Sequence, residues 1–372
     1  MSQEVESLAL STLAQAARAP LDGWPDRNPG HRAMGYLCSY VPEEVIHAAG
    51  FVPVRLRGSN DPLRRVDAHL QSFTCALCRS TLDQALTGKL RFLAGTVFAH
   101  TCDAMQALAD LWRMNTEFSH FVDTVMQPAN LSTPAARPYL TAELHRFRER
   151  LAAFAKKPIS DDDLRNSIAL YDESRRLVGV LQGLRDRMSA SHFYAVLDAV
   201  QVMPRETANP LLSELATEIE MAAVPVRTSG PRLFLVGAVV DEPRLLELID
   251  ELGGRVTGDD LCSGSRHFRD RIGTQGEPLA NLADYYLRRP PCPTKLHGDY
   301  DPSRYLLDQV HEVEADGIVF VVEKFCEPHA FDYALVLPAL DKVGLPHLLL
   351  EMEQTPSMEA LRTRLQAFLE IL

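Results

Sequence analysis

The stretch "DGIVFVVEKFCEPHAFDY", Asp316 to Tyr333, decides the fold class. Ile318 to Val322 is a short apolar run rich in β-branched side chains, so it reads as a strand buried on both faces. It runs through Cys326 into "AFDYALVLPALDKVG", which has the period of a helix. A buried strand feeding directly into a helix is half of a βαβ unit, and such units build parallel sheets. The cysteine at the strand's exit has four open readings: a packing thiol, a nucleophile, half of a disulfide, or a metal ligand.

The same rhythm recurs to either side. Upstream, "EEVIHAAG" reads as a short helix ending at Gly50 and "FVPVRLRG" as a strand. "SFTCALCRSTLDQALTGKL" is a loop entering a helix that stops at Gly88. "FLAGTVFAHTCD" is a strand running into a loop, and "AMQALADLWRM" is a helix. Nearer the end, "RLFLVGAVV", "RVTGDDLC" and "PHLLLEMEQ" read as strands, with "EPRLLELIDELGG" and "MEALRTRLQAFLEIL" as helices. The middle is helical in period, with Ser160 before three acids as an N-cap signal. "AAVPVRTSGPR" marks a boundary. The expected organisation is an α/β domain over residues 1–140, a mainly helical segment over 141–228 and a second α/β domain over 229–372.

The chain has 372 residues, 46% hydrophobic and 24% charged, with a formal net charge of -12. An acidic surface repels phosphate backbones, which argues against nucleic-acid binding. No apolar run approaches the roughly 20 residues that span a bilayer. The first twenty residues are acidic at the start and lack an apolar core, so they read as an amphipathic helix rather than a secretory signal. A cytoplasmic location is expected, with no membrane partner.

Seven cysteines in a reducing compartment argue against structural disulfides, as does the odd count. Cys75 opens a helix. Cys102, Cys262 and Cys326 follow strands, Cys38 precedes a helix, and Cys292 sits in a Pro-rich loop. Cys78, one turn after Cys75, is the candidate for plain packing. Open parallel sheets bind ligands beyond the carboxyl ends of their strands. Cys75-Ala76-Leu77-Cys78 is one short-spaced pair, but a structural zinc site usually takes two. Widely separated single cysteines suit an iron–sulfur cluster held between domains, although spacing leaves the metal undecided. No P-loop or useful dinucleotide fingerprint is present, and a cysteine nucleophile paired with His329 or His100 has no supporting local context.

Together these stretches resemble the 2-hydroxyacyl-CoA dehydratase and benzoyl-CoA reductase family. The matching segments are "CSYVPEEVIHAAGFVPVRLRG" (Cys38–Gly58), "CALCRS" (Cys75–Ser80), "TCD" (Thr101–Asp103), "DDLCSGSRHF" (Asp259–Phe268), "KFCEPHAFDY" (Lys324–Tyr333), and "LEMEQ" with "RTRLQAFLE" at the end. The resemblance implies two Rossmann-like (flavodoxin-like) parallel-sheet domains around a [4Fe–4S] cluster, with Cys75, Cys102 and Cys326 as ligands. It also implies a separate ATP-hydrolysing activator that injects one low-potential electron, an acyl-CoA substrate, and pairing with a paralogous subunit or a second copy. A related branch carries a double-cubane [8Fe–9S] cluster on six cysteines, which makes Cys38, Cys262 and Cys292 candidate ligands of a second cluster. A subunit that only relays electrons is the remaining alternative. Glu43, Glu44 and His329 are candidate acids or bases near the site. Glu351 or Glu353 is a further acid that could face it. Arg79 and Ser80 are candidate contacts to a thioester or phosphate.

Overall fold

The computed structural model describes residues 7–116, 118, 120–222 and 226–372. Residues 1–6, the start of the expected N-terminal helix, and 223–225, in the expected boundary, lie outside the described residues. The rest of that first segment is helical over Leu8–Arg18, capped by the Ser7 hydroxyl on the Leu10 amide.

Among the described residues, eight strands form two four-stranded sheets. The first holds β1 (Ala33–Tyr36), β2 (Val52–Arg55), β3 (Gly95–Ala99) and β4 (Val122–Val125) in the order β2-β1-β3-β4. The second holds β5 (Arg232–Gly237), β6 (Arg255–Leu261), β7 (Gly317–Glu323) and β8 (His347–Met352) in the order β6-β5-β7-β8. Every pairing is parallel. The two sheets therefore share one topology, with helices on both faces, as Rossmann-like α/β folds have.

All seven residues of β7 are buried. Val319 and Val321 enter the core shared with the middle helices, while Ile318, Phe320 and Val322 pack under Pro302–Glu312 and Glu327–Val343. Four long helices lie between the sheets in sequence: Ala136–Ala155, Asp161–Gly183, Ala190–Val200 and Arg205–Met221. Ser160 caps the second of these through a reciprocal capping box with Asp163.

Two elements cross between the sheets. Helix Leu8–Arg18 buries Ala9, Leu10 and Leu13 in the core of the second sheet. Helix Pro278–Arg288 buries Leu279, Leu282 and Tyr286 in the core of the first.

β3 and β4 leave no room at Gly95, where a Cβ would lie 2.4 Å from the Phe121 carbonyl oxygen and 2.7 Å from its Cβ. Backbone cannot yield as a flexible side chain can. Gly95→Ala is expected to cost about 1–3 kcal/mol, as overpacking does. An unchanged urea midpoint would contradict this account of the β3–β4 contact.

Candidate metal centre

Open parallel sheets form ligand crevices outside their carboxyl ends, where strand order reverses. That point lies between β1 and β3 in the first sheet and between β5 and β7 in the second. The two carboxyl edges face each other across a set of hydrogen bonds. After β1, the Ser39 carbonyl accepts from Arg289 at 2.7 Å, and the Tyr40 hydroxyl accepts from the Cys292 amide at 3.2 Å. After β2, Gly58 donates to Asp241 at 2.8 Å, and the Asp61 carbonyl accepts from Gln354 at 2.7 Å. Arg55, ending β2, donates to the Cys262 carbonyl at 3.0 Å.

Six of the seven cysteines stand on these facing edges, and all seven are free thiols. Cys75, Cys102 and Cys326 are the N-cap residues of helices Ala76–Leu86, Asp103–Asn115 and Glu327–Val343. In each, the backbone amide three residues on (Cys78, Met105, His329) favours the thiolate, though none closes a full capping bond. Cys38 and Cys262 lie just past β1 and β6.

The six sort into two groups by the faces they pack against, and the groups still act on each other: Cys292 opposes ionisation of Cys102, Cys262 that of Cys326, and Cys102 that of Cys38. Cys75, Cys102 and Cys326 pack, with Cys78, into the apolar cluster on one face of the first sheet, and ionising any of the three opposes the others. Cys38 and Cys292 pack on the opposite face and oppose Cys262 in the same way. Burial, with this repulsion added, pushes Cys38 and Cys102 up to about 11 and Cys262 up to about 12, and holds Cys326 well above the ordinary thiol value. Cys75 moves the opposite way, held below the usual value by a hydrogen bond from the Cys78 thiol. Cys78 thus does more than pack.

Crowded, buried thiols that resist ionisation are the condition that a metal relieves, because coordination neutralises the thiolates. Among the described residues, no three His, Cys, Asp or Glu side chains are placed to hold a single ion. A cluster of several irons draws its thiolates farther apart than one ion does, so thiols spread in this way fit a cluster better than a lone zinc. The groups also differ in charge. Arg55 and Arg266 favour the Cys262 thiolate, and Lys295 feels Cys292 and Cys38. Beside Cys75 stand Asp241 and Glu323.

The other sequence candidates are distributed around this patch. The Ser80 hydroxyl accepts from the Ser59 amide at 2.8 Å and so ties down the strand-exit loop. Arg79 pairs with Asp67, keeps a buried Nε without a partner, and lines an open groove with Lys324 and Phe325. Glu43 takes hydrogen bonds from Tyr36 at 2.8 Å and Arg205 at 2.9 Å, with His267 Nε2 at 2.8 Å. Burial works against its charge, but Arg205 and His267 outweigh burial and hold the carboxyl far below the usual range. Glu44 pairs with Arg175 and has one oxygen without a partner. His329 is buried beside a small cavity with Asp260, Tyr300 and Asp332. Glu353 pairs with Lys324, and Glu351 is exposed.

The family model described as "2-hydroxyglutaryl-CoA dehydratase, D-component" matches residues 38–372. The chain belongs to the 2-hydroxyacyl-CoA dehydratase and benzoyl-CoA reductase family. It is 28% identical to the (R)-phenyllactyl-CoA dehydratase beta subunit of Clostridium sporogenes over 348 residues, 92% of each chain. It is 29% identical to one of the subunits of the benzoyl-CoA reductase of Thauera aromatica, covering 93% of this chain and 92% of that one. With the beta subunit of the lactoyl-CoA dehydratase of Anaerotignum propionicum it shares 28% identity over 98% of each. Among the described residues, no helix is long and apolar enough to cross a membrane.

Sequence reasoning passed over several charged groups beside the cysteine patch: Arg55, Asp241, Lys295 and Glu323. Glu323 left a signal, a carboxylate ending an otherwise apolar strand. Two histidines add a measurable pH dependence. Burial lowers His267 to about 4 and His329 to about 3, so both are neutral in the fold. The unfolded chain binds these protons below its ordinary value near 6.5, whereas the folded chain does not. Stability is therefore expected to be full above pH 6.5 and to fall as pH drops toward 4. Urea midpoints that stay flat between pH 7 and 5 would contradict the neutral assignment.

Proposed function

We propose that this chain is the iron–sulfur-bearing subunit of a 2-hydroxyacyl-CoA dehydratase or benzoyl-CoA reductase-like enzyme. The observation that carries the reading is the meeting of Cys75, Cys102 and Cys326, each at a helix N-terminus, on one buried patch between two parallel sheets. When bound there, a [4Fe–4S] cluster held by three thiolates supplies one-electron chemistry and an open iron. The chain's own residues supply three helix N-termini directed at the thiolates, which favours their charge. They also supply apolar walls that exclude water.

The relatives are named as subunits of acyl-CoA dehydratases and of a benzoyl-CoA reductase. By that likeness the substrate is an acyl-CoA thioester and the partner is a paralogous subunit or a second copy. By the same likeness ATP hydrolysis falls to a separate activator protein, which agrees with the missing P-loop in this sequence. The reading is tested by turnover of phenyllactyl-, lactoyl- or benzoyl-CoA by the anaerobically prepared protein with its partner subunit and activator. Full iron with no turnover of any of them would favour a subunit that only relays electrons.

A second reading, a reductase with a double-cubane [8Fe–9S] cluster, is favoured by the second group, Cys38, Cys262 and Cys292, with Arg55, Arg266 and Lys295 beside it. Iron content separates the two. A single cubane needs about four irons and a double one about eight. The first reading expects Cys262→Ser to leave the iron unchanged, and a loss of about half would move the assignment to the second.

A further inference from the structure

Helix Glu327–Val343, which follows β7 and Cys326, is apolar on both sides. Val336 and Leu340 are buried against the second sheet. On the opposite side Phe331 is 70% exposed and Leu335 64%. A helix that is apolar all round is ordinarily covered all round. Single apolar side chains on a surface need no explanation, whereas a continuous stripe of them marks a contact with another molecule. Pro338 stands on the exposed side too, where it removes a main-chain hydrogen bond from the helix interior and adds little to packing within the chain.

The stripe is symmetric in character. At 3.6 residues per turn, Glu327, Phe331, Ala334, Leu335, Pro338 and Lys342 fall within about 50° of one line along the helix, and all six are exposed. From either end it runs from a charge to a ring to the apolar middle. The charges are opposite, and neither Glu327 nor Lys342 has an ion pair among the described residues. A two-fold contact requires a patch that complements itself, residue i meeting j while j meets i. Two such helices laid antiparallel about the point between Ala334 and Leu335 meet that requirement. Phe331 of one copy lies on Pro338 of the other, Ala334 makes room for Leu335, and Glu327 faces Lys342 at both ends. The helix dipoles are opposed, and a shallow crossing of about 20° keeps the end charges in reach.

We propose that this stripe is the contact by which two copies of the chain pair, antiparallel about a two-fold axis between Ala334 and Leu335. A paralogous subunit would fit the stripe only by repeating its charges, whereas a second copy carries them by symmetry. The proposal takes the second-copy alternative of the reading above and needs neither iron nor substrate. The face of one helix is small beside the about 800 Å² per partner of a standard interface, so the dimer is expected to come apart on dilution.

The test is sedimentation velocity of the full-length protein over a concentration series. The wild type is expected to pass from monomer to dimer as concentration rises. Leu335→Glu is expected to stay monomeric, with an unchanged far-ultraviolet spectrum because the position is exposed. Glu327→Lys and Lys342→Glu are each expected to weaken the dimer about tenfold, since every dimer loses two surface pairs. The two changes together exchange the charges and are expected to restore it. A wild type that stays monomeric throughout would overturn the proposal, and so would pairing with a paralogous subunit alone. A dimer that Leu335→Glu leaves intact, or that the double variant does not restore, would overturn it as well. Failure of the protein to bind iron would defeat the cluster reading and leave this result unaffected.

Discussion

Cys326→Ser is expected to strip the protein of most of its iron and bleach its visible absorption, and Cys75→Ser and Cys102→Ser to do the same. Each residue caps a helix that follows a strand, and serine is a better N-cap than cysteine, so the helix should survive the change. What serine lacks is a thiolate, the donor that iron–sulfur clusters require. Loss of iron with an unchanged far-ultraviolet spectrum would therefore report ligation rather than unfolding. Cys78→Ala is the control: its thiol donates to Cys75 but stands inside the helix, and the iron is expected to stay. Full iron in all three serine variants would defeat the assignment.

Arg205→Ala is expected to destabilise the fold by about 3–5 kcal/mol, the cost of stranding a buried charge. Arg205 is 2% exposed, holds Glu43, donates to the Val200 carbonyl and lies 4.8 Å over the Tyr171 ring. Without it, Glu43 keeps Tyr36 and a neutral His267 but loses its only cation among the described ion pairs. The pH dependence has a definite sign. In the wild type the Glu43 carboxyl is held below its ordinary 4.5, so its contribution is present above that value and is lost only as pH falls through the lower folded value. In the variant, burial prevails and raises the carboxyl, so protonation relieves the stranded charge sooner. The gap between wild type and variant should then narrow between pH 7 and 5. A loss under about 1 kcal/mol, the worth of an exposed pair, would refute the account.

Glu43 and Glu44 show what a linear stretch leaves out. Two acids at a helix start beside Cys38 invite an acid–base role. The partners that occupy them, Arg205, His267 and Arg175, lie more than 130 residues away in the chain. His329 has a parallel history. One helical turn past Cys326, its side chain lines the cavity of Asp260 and Tyr300, while its backbone amide serves the cysteine.

Two strands and two of the longer helices went unread. β1, "AMGY", is four residues long, buried throughout and interrupted by Gly35, so neither alternation nor a long apolar run marks it. β4, "VDTV", carries two polar residues, Asp123 being held by Arg146 and Arg150. Helix Pro278–Arg288 is capped by Glu277, an uncommon cap, and helix Pro302–Glu312 by Asp301 directly after a glycine- and proline-rich loop.

By itself, the sequence determined the alternation of strand and helix, the parallel character of the sheets and the placing of single cysteines where strands end. These are local properties, written in side-chain period and in the residues that stop each element. Only the tertiary structure decided that both sheets take the same strand order with their carboxyl edges facing. The same holds for the sorting of six cysteines into two groups of different charge. Each of these depends on which strands lie side by side. That order is settled by the burial of whole faces and by pairings between residues far apart in the chain, and no window of sequence contains them.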